Sequence, residues 1–152
     1  MHRYEATVRW QRQGQKFVDN RYSRAHQWEF DGGARVAASS SPLVVPLPLS
    51  EAANVDPEEA LVAATSSCHM LFFLSLAARA GFTVESYADH AYGVMERGGD
   101  GRTAFTRIVL RPDIAYAGAA PDAAQLARLH EAAHEQCYIA NSLKARVTVE
   151  AP

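Results

Sequence analysis

Cysteine is scarce in this 152-residue chain: it occurs only at positions 68 and 137, too thinly for a disulfide scaffold. Charge of one sign is missing too. Lys and Arg number 15 and Asp and Glu 17, a formal net charge of −2, and the basic residues are scattered. With no broad positive field to neutralise phosphates, nucleic acid is not an expected partner. The opening Met1-His2-Arg3-Tyr4-Glu5 lacks the apolar run of a secretory signal, so a cytoplasmic protein is expected. No internal repeat or low-complexity tract interrupts the chain. Nor is there a glycine-rich dinucleotide fingerprint, so no flavin or nicotinamide, and no other cofactor, is expected. What remains is ordinary: 48% hydrophobic and 21% charged residues fit a single domain over residues 1–152.

One long apolar run stands out, Leu61 to Phe82. It is long enough to raise the question of a bilayer, but it carries Thr65, Ser66, Ser67, His69 and Arg79. A buried core helix and no membrane is the reading adopted. Just before it, Asp56-Pro57-Glu58-Glu59 combines a capping Asp, a Pro suited to the first helical position and a Glu three residues after the cap. Gly81 stops the helix after Arg79-Ala80. Leu61, Thr65, Cys68, Phe72 and Leu76 then share one expected face.

Around this helix the pattern alternates with period two. Tyr4, Ala6, Val8 and Trp10 predict a half-buried first strand, and Arg35 to Ala38 a second after the turn Asp31-Gly32-Gly33. Pro42, Pro46 and Pro48 keep Leu43 to Leu49 out of any central strand. Phe82 to Met95 and Ala104 to Tyr116 read as two strands of a hairpin turning at Gly98-Gly99-Asp100-Gly101. Pro121-Asp122 opens a second helix with Leu126, Leu129, Ala133 and Cys137 in line, and Ala145, Val147 and Val149 form a last strand. The plan is α+β.

Each cysteine has apolar neighbours: Met70, Leu71, Phe72 and Phe73 after Cys68, Tyr138 and Ile139 after Cys137. Two such thiols are either inert core residues, metal ligands or a redox pair. Peroxide reduction needs a thiolate kept ionised by a nearby cation, and a second thiol can capture the resulting sulfenic acid as a disulfide.

Asp56-Pro57-Glu58-Glu59, Cys68 on the following helix and a distant Cys137 followed by Tyr-Ile-Ala-Asn-Ser-Leu resemble the OsmC/Ohr family of organic hydroperoxide reductases. The resemblance implies an OsmC-like fold, antiparallel strands wrapped around a long central helix and a second helix, in an intertwined homodimer. It implies a peroxidatic Cys68, a resolving Cys137, an arginine that stabilises the thiolate and Glu58 to hold that arginine. Arg24 is chosen for it, with Arg21 and Arg35 as alternatives. His69, Phe72, Phe73 and Tyr138 are expected to line the pocket for an organic hydroperoxide, and a dithiol reductant to restore the thiols. Ten helical residues span about 15 Å, so Glu58 is expected to serve the other subunit's cysteine. This sequence departs from the best-known members at His69, where an apolar residue such as Phe is usual, and at Tyr138, where Pro is.

Two rival readings stand beside this one. His130-Glu131-Ala132-Ala133-His134 is a formal zinc-protease motif, but a catalytic zinc needs a third protein ligand. A structural or adventitious zinc on His130, His134 and Cys137, at i, i+4 and i+7 with Cys68-His69 able to approach, is the variant that survives this objection. The other rival is a binding module that holds an apolar ligand against Met70, Phe72 and Phe73 without turnover.

Overall fold

A computed structural model describes residues 1–150 of the chain. It divides into two compact units, Met1–Ala60 and Leu61–Pro152.

In the first unit β1 (Ala6–Arg9), β2 (His26–Phe30) and β3 (Arg35–Ala38) form an antiparallel sheet in sequence order. The β2–β3 turn uses Gly33 at φ 86°, a left-handed conformation that glycine adopts without a Cβ penalty. Trp10, expected in the first strand, lies beyond it. Its ring instead packs with Phe17 and Tyr22 in the β1–β2 connection, at centroid distances of 5.7 and 5.3 Å. All four residues of β1 are exposed rather than alternately buried. The proline-rich stretch is irregular, as its composition requires. It is pinned at its end, where Val55 N–H donates to the Ala37 carbonyl and Asn54 Nδ2 to that of Ala38.

Helix α1 (Pro57–Arg79) starts where the sequence places it. Glu59 N–H donates to Asp56 Oδ1 at 2.8 Å and Asp56 N–H to Glu59 Oε1 at 2.9 Å, a reciprocal cap. Glu58 and Glu59 lie in the first turn and Arg79 in the last, each favoured there by the helix dipole. The buried stripe is Thr65, His69, Phe73 and Ala77. Thr65 is on the expected face, but the other three fall one residue on from the expected Cys68, Phe72 and Leu76, a rotation of about 100°. The helix is apolar on nearly every side, so periodicity alone could not choose the face. By length and composition α1 could cross a membrane, and only 22% of its apolar window is buried within this chain.

The second unit holds the predicted hairpin, but each arm is broken in two. The elements are β4 (Thr83–Asp89), β5 (Tyr92–Arg97), β6 (Thr103–Leu110) and β7 (Pro112–Ala117). Strands β5 and β6 pair on the turn side and β4 and β7 on the other, in separate sheets. Both arms break at one level: Arg111 N–H leaves the ladder for Asp89 Oδ1 at 2.6 Å, and Pro112 has no N–H to offer. β8 (Arg146–Val149) joins β6 in parallel, Arg107 opposite Arg146, so the sheets are not wholly antiparallel. Between β7 and β8 run α2 (Ala123–Gln136), capped reciprocally by Asp122 and Gln125, and the short α3 (Tyr138–Ser142).

Two buried clusters support this unit. Phe73, Ala77 and Ala133 join α1 to α2, flanked by Tyr87, Ile114 and Leu129. Ile108, Leu110 and Val147 join β6 to β8, flanked by Val62, Phe105 and Ala140. The architecture is α+β, with antiparallel pairing dominant and a long helix.

Candidate active site

Cys137 does not continue the α2 stripe. It is the residue between the two short-range helices, ending α2 with an N–H to the His134 carbonyl and opening α3. Its backbone is extended, at φ −68° and ψ 105°, which turns the side chain out of the α2 register. The sulfur accepts the Ala140 N–H at 3.4 Å. It is fully buried, whereas Cys68 is half-buried, and neither is in a disulfide.

The two thiols are neighbours: Cys68 is among the groups that act on the Cys137 thiol. Burial, and then the neighbouring Cys68, push the Cys137 thiol up to about 11 against the opposing pull of the Ala140 N–H. Near neutral pH Cys137 therefore keeps its proton. Of the two sulfurs, the half-buried Cys68 is the one open to an incoming molecule.

Next to Cys68, His69 is 1% exposed and lies in the interface with α2. Its Nε2 is 3.0 Å from His130 Nδ1, the two rings lie within 12° of parallel, and Phe73 stacks on His130 at 4.5 Å. His69 Nδ1 has no partner. Burial, then the neighbouring His130 and His134, lower His69 to about 4. Burial also lowers His130, opposed by Asp89, which itself accepts Ser66 Oγ at 2.5 Å. Two of the expected pocket residues are therefore placed otherwise: His69 and Phe73 are core groups, because the helix face they share is the one turned inward. Phe72 and Tyr138 do meet, edge to face at 5.1 Å, with Tyr138 70% exposed beside Cys137.

In the first unit, Arg24 is held by its own loop. Its guanidinium donates to the Asn20 carbonyl at 3.0 Å, to Asn20 Oδ1 at 2.9 Å and to the Tyr22 carbonyl, and lies 3.8 Å over the Tyr22 ring. Glu58 has one carboxylate oxygen, Oε2, shielded from water and without a hydrogen-bond partner. Arg35 is taken up at the surface by Glu29, at 3.8 Å.

The zinc reading finds no support. Among the described residues no group of three or more His, Cys, Asp or Glu side chains is disposed to hold a metal ion. Cys137 has left the helix face of His130 and His134, and His130 Nδ1 is occupied by His69. Those two histidines instead line a cavity of about 590 Å³ with Ile114, Tyr116, Leu126 and Val147. Sequence reasoning missed both the His69–His130 pair and this cavity; the only signal was the spacing of His130 and His134 one turn apart.

Residues 50–151 match the family model of the OsmC-like proteins. An OsmC-like protein of unknown function from Vibrio cholerae is 52% identical over all of both chains, with a TM-score of 0.97. An organic hydroperoxide resistance protein from Elizabethkingia anophelis is 17% identical, covering 100% of this chain and 98% of its own, with a TM-score of 0.70. The organic hydroperoxide resistance protein OhrB of Bacillus subtilis is 17% identical, covering 99% and 98%, with a TM-score of 0.65. The latter two share the fold. No curated protein matches. With the matching model extending over both cysteines and Glu58, the chain belongs to the OsmC-like family.

Proposed function

We propose that the protein is a cysteine-based peroxidase that reduces organic hydroperoxides to alcohols. The observation that carries the reading is the proximity of a half-buried Cys68 to a buried Cys137 that holds its proton. Neighbouring thiols, one accessible and one not, divide naturally into attacker and resolver.

The Cys68 thiolate attacks the outer peroxide oxygen, the O–O bond breaks, and the alkoxide takes up a proton to leave as the alcohol. Cys68 is then a sulfenic acid. Cys137 attacks its sulfur, hydroxide departs with the thiol proton as water, and a Cys68–Cys137 disulfide remains. A dithiol returns two electrons and two protons by exchange. Phe72 and Tyr138 supply an apolar approach beside the sulfurs. Arg24 is the proposed thiolate partner and would have to release Asn20 and the Tyr22 carbonyl. Glu58, with its orphaned oxygen, is the proposed anchor for that guanidinium in a homodimer.

One equivalent of an organic hydroperoxide added to reduced protein should remove two free thiols and add no oxygen to the intact mass. Cys137→Ser should gain one oxygen and stop after a single turnover, and Cys68→Ser should not react. Two unreacted thiols in the wild type refute the reading. Hydrogen peroxide alongside measures the preference for an apolar substrate.

A further inference from the structure

The helices that carry the two cysteines are joined by one buried polar contact. α1 bears Cys68 and, next to it, His69; α2 bears His130 and ends at Cys137. From His130 to Cys137 is about two helical turns, so a shift of α2 at His130 is transmitted along a rigid rod to the resolving sulfur. The remainder of the α1–α2 contact is Phe73, Ala77 and Ala133 with their apolar neighbours. Apolar packing is non-directional and tolerates sliding and rotation, whereas a hydrogen bond of 3.0 Å between two planar rings fixes both distance and angle.

The tautomers follow from burial. His69 Nδ1 is unpartnered inside the protein. A stranded N–H there is worse than a stranded lone pair, so His69 carries its proton on Nε2 and donates to His130 Nδ1. His130 then has its own proton on Nε2, on the side of the ring away from this bond. Adding a proton to either ring strands an N–H or sets two donors head to head.

We propose that the His69–His130 hydrogen bond is a positioning device that sets the approach of the Cys137 sulfur to Cys68. The inference rests on the reading of the cysteines as a redox pair, but not on hydroperoxide as the oxidant. Neither imidazole touches the reacting atoms; the pair acts through the helices. Its loss leaves both thiols in place and lowers their effective concentration for each other. The affected step is closure of the disulfide, not attack on peroxide.

The test is the equilibrium of the thiol pair with reduced and oxidised dithiothreitol at pH 7, in which two electrons and two protons pass between the dithiols. It is made on the wild type, His69→Phe, His130→Gln and the double variant His69→Phe/His130→Leu, which restores an apolar contact should a single change impair folding. A rise of about tenfold or more in the dithiothreitol ratio needed for half oxidation, with an unchanged circular dichroism spectrum, is expected. After one equivalent of an organic hydroperoxide, a sulfenic-acid trap should capture more of each variant than of the wild type. Nitrogen-15 imidazole shifts should put the His69 proton on Nε2. Folded variants with the wild-type dithiothreitol equilibrium overturn the proposal. A shifted equilibrium in a protein inert to hydroperoxides would leave it intact and remove only the peroxidase reading.

Discussion

His69 shows how one side chain ties chemistry to stability. An ordinary histidine titrates near 6.5, and burial with His130 and His134 lowers His69 to about 4. Between those values the unfolded chain binds a proton that the folded chain refuses, so stability is whole above about pH 6.5 and falls as the pH drops toward 4. The loss is on the order of 3 kcal/mol. Urea melts at pH 7 and pH 4.5 should show it, and His69→Phe should flatten that part of the profile. Tyr87, raised by burial and by Asp89, stays neutral throughout this range. At this scale the sequence was informative about identity and poor about orientation. The cysteines, Glu58 and His69 were all visible as residues; that His69 points inward and finds His130 was not, because the two lie 61 positions apart.

At the level of elements, local signals were reliable wherever the chemistry is local. The reciprocal cap at Asp56 and Glu59 and the turn at Gly33 need only neighbouring residues, and both formed where expected. The break of each hairpin arm could not be read, since it depends on Asp89 meeting Arg111 across the pair. Helical spacing placed Cys137 on α2, yet it falls one residue past the helix end, where spacing stops being a guide. Gly93 in β5 gives a measurable case of close packing. A Cβ there would stand 2.4 Å from Phe105 Cε1 and 2.9 Å from Val62 Cγ2. Gly93→Ala should therefore lower stability by about 1–3 kcal/mol in a denaturant melt, while Gly99→Ala, with open space around it, should change little.

For the molecule as a whole, the apolar surface left open is the guide. Leu71 of α1 is 61% exposed and Val8 of β1 is 64% exposed, although the sequence reads α1 as a buried core helix and β1 as a half-buried strand. Sedimentation should give twice the 16.6 kDa of the chain, and Leu71→Lys should shift the protein toward the single-chain mass. If Glu58 serves the partner's cysteine, mixing inactive Cys68→Ser with impaired Glu58→Gln after a cycle of dissociation should restore about a quarter of the wild-type sites. Service within one chain predicts no restoration. The parallel pairing of β6 with β8 bears on a different matter, the time course of folding. Arg107 finds Arg146 across a loop that contains α2, α3 and Cys137. Pairings so distant in sequence form late, because the entropy of closing the loop comes before any contact repays it. Cys137 lies in that loop and is fully buried once the chain is folded, so the rate at which its thiol becomes resistant to an alkylating reagent during refolding is a clock for the closing of the loop.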